Sequence, residues 1–168
     1  MDREVMKPVE SIAPHGGKLV SRIAPAEERE HLPQRLQGLP TLRLSARAVA
    51  DLDLIAVGAY SPLEGFMGQE DYQSVLKEMR LASGLPWSVP ITLAVEKQEV
   101  RGLREGQEVV LQDEAGQALA VLHLEECFGY DKEEEAERVY RTTEAAHPGV
   151  AALYRQGDVL LGGRITLQ

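Results

Sequence analysis

From Ser45 to Val57 the apolar residues Val49, Leu52, Ile55 and Ala56 recur at the spacing of one helical face, so this stretch reads as a core helix. Ser45 is placed to cap it and Gly58 to stop it. Tyr72, Val75, Leu76 and Met79 repeat the pattern and predict a second amphipathic helix. The loop between them, Tyr60 to Gly68, carries Leu63, Phe66 and Met67 together and is expected to pack inward. Further on, Asp131 reads as an N-cap. Glu134 can bond back to it, Glu133 and Glu135 suit the helix dipole, and Ala136, Val139 and Tyr140 form the apolar stripe. Arg138 and Arg141 close that helix, and positive charge is favoured there. Pro148, preset for a first helical position and preceded by His147, opens another with Val150, Leu153 and Tyr154 facing inward before Gly157.

The period changes to two around Trp87. The runs PWSVPITLAV, EVVLQ and ALAVLHLEE read as strands, with the last two joined as a hairpin through Asp113 to Gly116. A terminal strand, Asp158 to Leu167, carries Gly162 and Gly163 where a bulge or break is expected. Near the start, Leu19, Val20 and Ile23 alternate with polar residues and predict a short strand between the Pro14 to Gly17 turn and Pro25. Glu27 and Glu28 after Pro25 predict a helix of about two turns. Residues 1–10 show neither period and read as a flexible leader, with one domain spanning 11–168. Helices first, strands later and a helical corner before the last strand give an α+β domain with a small barrel-like sheet.

Composition narrows the class. A chain of 168 residues with 43% hydrophobic content supports one buried core and is too short for two ordinary domains. Its net charge is −9, from 27 acidic and 18 basic residues, and the basic ones are scattered, which disfavours nucleic acid as a partner. Cys127 has no second cysteine to pair with, so a disulfide framework is excluded and a reducing cytoplasm is expected. No signal-like segment opens the chain and no apolar stretch approaches the ~20 residues of a membrane span, so a soluble protein with no membrane role is expected.

Candidate chemistry is sparse. His15, His31, His123 and His147 are far apart in sequence, and none has the i, i+3 or i, i+4 spacing of a helical metal pair. His147 reads better as a capping or corner hydrogen bond. Gly16, Gly17 and Lys18 could be imagined around a phosphate, but they lack the P-loop spacing and its hydroxyl residue after lysine, so a tight turn is the better reading. Glu133, Glu134 and Glu135 point in different helical directions and are explained by the dipole and solvation. Trp87 and Phe66 read as core. No residue is assigned a catalytic, cofactor-binding or metal-binding role.

Several segments together resemble one family, the sulfate adenylyltransferases (ATP sulfurylases), in their N-terminal domain. They are His15-Gly16-Gly17-Lys18-Leu19-Val20, Tyr60-Ser61-Pro62-Leu63-Glu64-Gly65-Phe66-Met67, Leu85-Pro86-Trp87-Ser88-Val89-Pro90-Ile91-Thr92-Leu93, the stretch Asp131 through Val150, and Leu160-Leu161-Gly162-Gly163. Their order and spacing match, and the resemblance covers nearly everything after Ser11. It implies a PUA-like fold, a small mixed β-barrel with flanking helices. The family joins ATP and sulfate into adenosine 5′-phosphosulfate and pyrophosphate, the entry step of sulfate assimilation, with ATP as substrate and Mg as its ion. Its nucleotide motif, Gln-x-Arg-Asn-Pro followed by His-x-x-His, lies in the next domain; this chain has no asparagine and no two histidines so spaced.

The resemblance therefore implies a noncatalytic N-terminal domain, inactive alone, that packs against and supports a catalytic domain in cis or in trans. A homo-oligomer is compatible with it. Gln168 falls about where the family's domain junction should lie, which fits an excised domain, a split gene product or a free-standing relative. The alternative is a free-standing PUA-like binding module for RNA, a nucleotide or a protein partner; fold analogy alone supports RNA, and the net charge opposes it.

Overall fold

The computed structural model describes residues 12–168, so the reading of 1–10 as a leader lies outside the described residues. Five helices and six strands follow in the order α1 (Ala26–Arg35), β1 (Thr41–Arg43), α2 (Ala46–Ala56), β2 (Gly65–Phe66), α3 (Gln69–Glu78), β3 (Leu93–Val95), β4 (Glu108–Gln112), β5 (Ala118–Gly129), α4 (Lys132–Tyr140), α5 (Pro148–Tyr154) and β6 (Val159–Leu167). All six strands belong to one mixed sheet. The α+β expectation holds.

The sheet is organised around β6. It pairs antiparallel with β5 from Ala120↔Leu167 to Gly129↔Val159, and its other edge takes β3 at Leu93↔Leu161 and β2 at Phe66↔Gly163. Beyond β5 lies β4, joined to it by the expected Asp113 to Gly116 turn. There the Gly116 amide donates to Asp113 O, and the Asp113 carboxylate accepts from the Gln117 amide at 2.8 Å. β1 runs parallel to β4 at the far edge.

Helix α2 lays Leu52, Ile55 and Ala56 on this sheet, against residues such as Leu111, Leu122, Leu161 and Ile165, to form the main core. Its Ser45 cap forms as the sequence predicts, the side chain accepting from the Ala48 amide at 3.2 Å. Asp131 caps α4 by accepting from the Glu133 and Glu134 amides, whereas the reciprocal bond from Glu134 does not form. His147 caps α5: its Nδ1 accepts from the Gly149 amide at 3.1 Å, and Pro148 sits at the first turn. Ala136, Val150 and Leu153 hold the two short helices together.

Four local expectations change. Leu19 to Ile23 forms no strand beyond a single parallel bridge, Ile23↔Leu167, because its amides are satisfied elsewhere: Arg22 N–H by Ala56 O and Val20 N–H by the Ser61 hydroxyl. The strand expected from Trp87 shrinks to Leu93–Val95; Pro90 has no N–H for a ladder, and the Trp87 amide donates to Met79 O. Met79 leaves the buried stripe of α3, capping that helix in a left-handed conformation with φ 54°. The glycines of β6 do not break it. The register shift sits opposite, between Leu124 and Glu126 of β5, where Gly163 with φ 155° lets the strands close up; a Cβ there would stand 2.0 Å from His123 O.

Candidate functional site

Three of the segments that carry the family resemblance meet at one cleft of about 710 Å³. The Gly16-Gly17 turn, both glycines at positive φ and closed by Gly17 N–H donating to Pro14 O, directs His15 across the chain. His15 Nε2 lies 2.8 Å from Pro86 O, and its ring is 5.9 Å from that of Trp87. Tyr60, at the start of the packed loop, meets Trp87 edge-on at 6.1 Å. Met79 and Val89 complete the apolar wall, and Arg47 and Asp51 of α2 form the polar end.

Three polar side chains of this cleft, His15, Trp87 and Tyr60, already have partners. Trp87 Nε1 donates to Val89 O at 2.8 Å, and the Tyr60 hydroxyl reaches Asp51 Oδ1 at 3.4 Å. Burial raises the Asp51 pKa, with Arg47 and the Tyr60 bond opposing it; burial and Asp51 raise that of Tyr60. With histidine, indole and phenol already engaged by backbone or neighbour, the arrangement is a contact surface of aromatic and thioether character. It lacks a nucleophile aligned on a base.

The remaining candidates sit apart from it. His31 is exposed on α1. His123, on β5, lies 3.3 Å from Glu108 Oε1, yet burial wins over that carboxylate and lowers its pKa. Cys127 is exposed, and partial desolvation followed by Glu105 raises its thiol pKa, opposite to what an activated thiolate needs. Phe66 is buried as expected, whereas Trp87 is only half-buried at the cleft. Among the described residues no three His, Cys, Asp or Glu side chains converge as a metal site, and no helix is long and apolar enough to cross a membrane.

Glu135 departs most from the sequence reading. It is 9% exposed and its Oε2 accepts from the Tyr72 hydroxyl at 2.7 Å, while Glu133 faces solvent. Burial raises the Glu135 pKa against the Tyr72 bond and Arg47, and Tyr72 is itself held far above the usual phenol range by burial and by Glu135. Two large rings, Phe128 and Tyr130, pack on Tyr72 at 5.9 and 6.1 Å. This pair joins α3 to α4 and is remote in sequence, so helical spacing gave no sign of it.

Comparison with known proteins matches the motif content of the cleft. The PUA-like domain family matches residues 12–168. The sulfate adenylyltransferase of Symbiobacterium thermophilum is 54% identical over 93% of this chain and 40% of its own length, and that of Chloroflexus aurantiacus is 54% identical over 92% and 38%. A probable bifunctional SAT/APS kinase 2 of Sorangium cellulosum is 51% identical over 92% of this chain and 26% of its own. Among solved structures, the hexameric APS kinase from Thiobacillus denitrificans superposes with a TM-score of 0.71 at 30% identity, covering 94% of this chain and 27% of that one. This chain thus spans about 40% of the length of the sulfate adenylyltransferases it matches. With the fold and the family match in agreement, and with sulfate adenylyltransferases among its relatives, the chain belongs to the PUA-like domain family.

Proposed function

We propose that this domain is the noncatalytic N-terminal part of a sulfate adenylyltransferase, acting in sulfate assimilation by packing against and supporting a catalytic domain. One observation carries the reading: the chain aligns over 93–95% of itself to sulfate adenylyltransferases but over only 40% of each of them. The cleft supports it, because His15 and Trp87 are already bonded to backbone carbonyls and its outer wall is aromatic and aliphatic, a surface suited to another protein layer. On this reading ATP, its Mg ion and sulfate are held by the larger part of the protein. The domain contributes no group to the reacting atoms. The setting is the cytoplasm, and assembly into oligomers goes through the whole enzyme.

The test joins this chain to the part of the Symbiobacterium enzyme that it does not match. The fusion should catalyse sulfate-dependent ATP–pyrophosphate exchange, and the isolated 168-residue chain should not. Turnover by the isolated chain, or an inactive fusion beside an active parent, would sink the proposal. A free-standing RNA module is the weaker reading, since the net charge is −9.

A further inference from the structure

The large apolar side chains left exposed after Ile12 are not scattered over the surface. Met79, 50% exposed, and Val89 border the cleft beside Tyr60 and Trp87. The Tyr60 amide donates to Leu54 O at the end of α2, where Leu54 and Val57 stand exposed about one turn apart. Leu19, 60% exposed, lies directly against Gly58; a Cβ on that glycine would stand 2.8 Å from Leu19 Cδ1. Ile23 follows on the same strap, which is tied to α2 by Arg22 N–H donating to Ala56 O at 2.9 Å and to β6 by the Ile23↔Leu167 bridge. Their segments are tied to one another in a belt that runs from the cleft, past the end of α2, to the end of β6.

A chain with 27% charged residues has ample means of covering such a belt with polar groups, and exposed apolar side chains gathered on neighbouring segments mark a contact face. We propose that this belt, centred on Leu19, Leu54 and Val57, is the face on which the catalytic part of the sulfate adenylyltransferase packs. The inference rests on the function proposed above and adds the surface to it. The occupant follows from two facts. The larger part of each relative lies outside the match, and the belt reaches β6, from which further chain would continue on that reading. A tethered partner works at an effective concentration in the millimolar range, so a belt of modest area is enough to hold it.

Single-cysteine labelling reads the surface directly. In a Cys127→Ser background, Leu54→Cys and Val57→Cys are each placed in the isolated chain and in the fusion with the Symbiobacterium remainder, with Glu137→Cys, on an exposed face of α4, as the control. Maleimide labelling at both belt positions should slow by at least about tenfold in the fusion, while the control is unchanged. An active fusion that labels equally fast at Leu54→Cys and Val57→Cys overturns the belt and leaves the proposed function standing. The same fusion made with the Chloroflexus remainder provides a second host, and failure of both to give soluble, active enzyme overturns the proposed function and the belt together. Sedimentation of the isolated chain is the last arm: self-association abolished by Leu54→Glu, with no protection in the fusion, assigns the face to a second copy and overturns the inference.

Discussion

Replacing Tyr72 by phenylalanine removes the hydroxyl that donates to the buried Glu135 carboxylate at 2.7 Å and leaves everything else of the ring in place. With Tyr72 1% and Glu135 9% exposed, water cannot easily replace that bond. A hydrogen bond to a charged group contributes roughly 1.5–3 kcal/mol and a neutral one about 1 kcal/mol, so the cost of Tyr72→Phe should depend on the charge of Glu135. The Glu135 pKa is raised in the fold above its ordinary 4.5. Between the unfolded and folded values the native state therefore binds the proton that the unfolded state has lost, and stability falls as pH rises through that window. Above the folded value the carboxylate is charged in both states and the burial penalty is complete. Tyr72→Phe should accordingly cost about 1 kcal/mol near pH 4, and the cost should rise towards about 2–3 kcal/mol as pH passes the raised folded value. Glu135→Gln, which keeps an acceptor for the Tyr72 hydroxyl without the charge, should flatten this part of the pH profile. Urea unfolding followed by the fluorescence of Trp87, the single tryptophan, supplies both series. A Tyr72→Phe cost that does not rise with pH, or a Glu135→Gln profile parallel to the parent's, would refute the reasoning.

Two further expectations concern the frame of the fold. Ser61, 2% exposed, donates to Gly58 O at 2.7 Å and accepts from the Val20 amide at 2.9 Å, so Ser61→Ala should cost about 1–3 kcal/mol and speed hydrogen exchange at Val20; unchanged exchange there would show that the strap is held by other contacts. Gly163→Ala places a Cβ 2.0 Å from His123 O at φ 155° and should cost more than ~3 kcal/mol or prevent folding, whereas Gly129→Ala, with nothing within 4 Å, should stay within about 1 kcal/mol. Thermal melts of the two alanine variants decide it, and equal melting temperatures would contradict the close packing of β5 on β6.

What could be read in advance has a common feature, which is short range along the chain. Ser45, Asp131 and His147 each bond an amide two or three residues away, so their caps follow from local sequence. The hairpin of β4 and β5 closes over Asp113 to Gly116 for the same reason. Two of the misread features depend on distant partners. Glu135 is buried by Tyr72, 63 residues earlier in the chain, and the Leu19 to Ile23 strap is kept from becoming a strand by Ser61 and Ala56. Trp87 packs against the core from one side, and composition cannot show that His15 and Tyr60 also share its ring at the cleft.

The sequence by itself determined the α+β class, most of the helices and hairpin strands, and the family, because periodicity, capping and ordered motifs are properties of neighbouring residues. Only the tertiary structure decided that three of those motifs close around one cleft, that a glutamate from an acidic run turns inward, and that the segments carrying the exposed apolar residues lie side by side. The physical reason is that burial and hydrogen bonding are settled between segments far apart in the chain, where β6 draws β2, β3 and β5 together and leaves α2 with Leu52, Ile55 and Ala56 in the core and Leu54 at the surface.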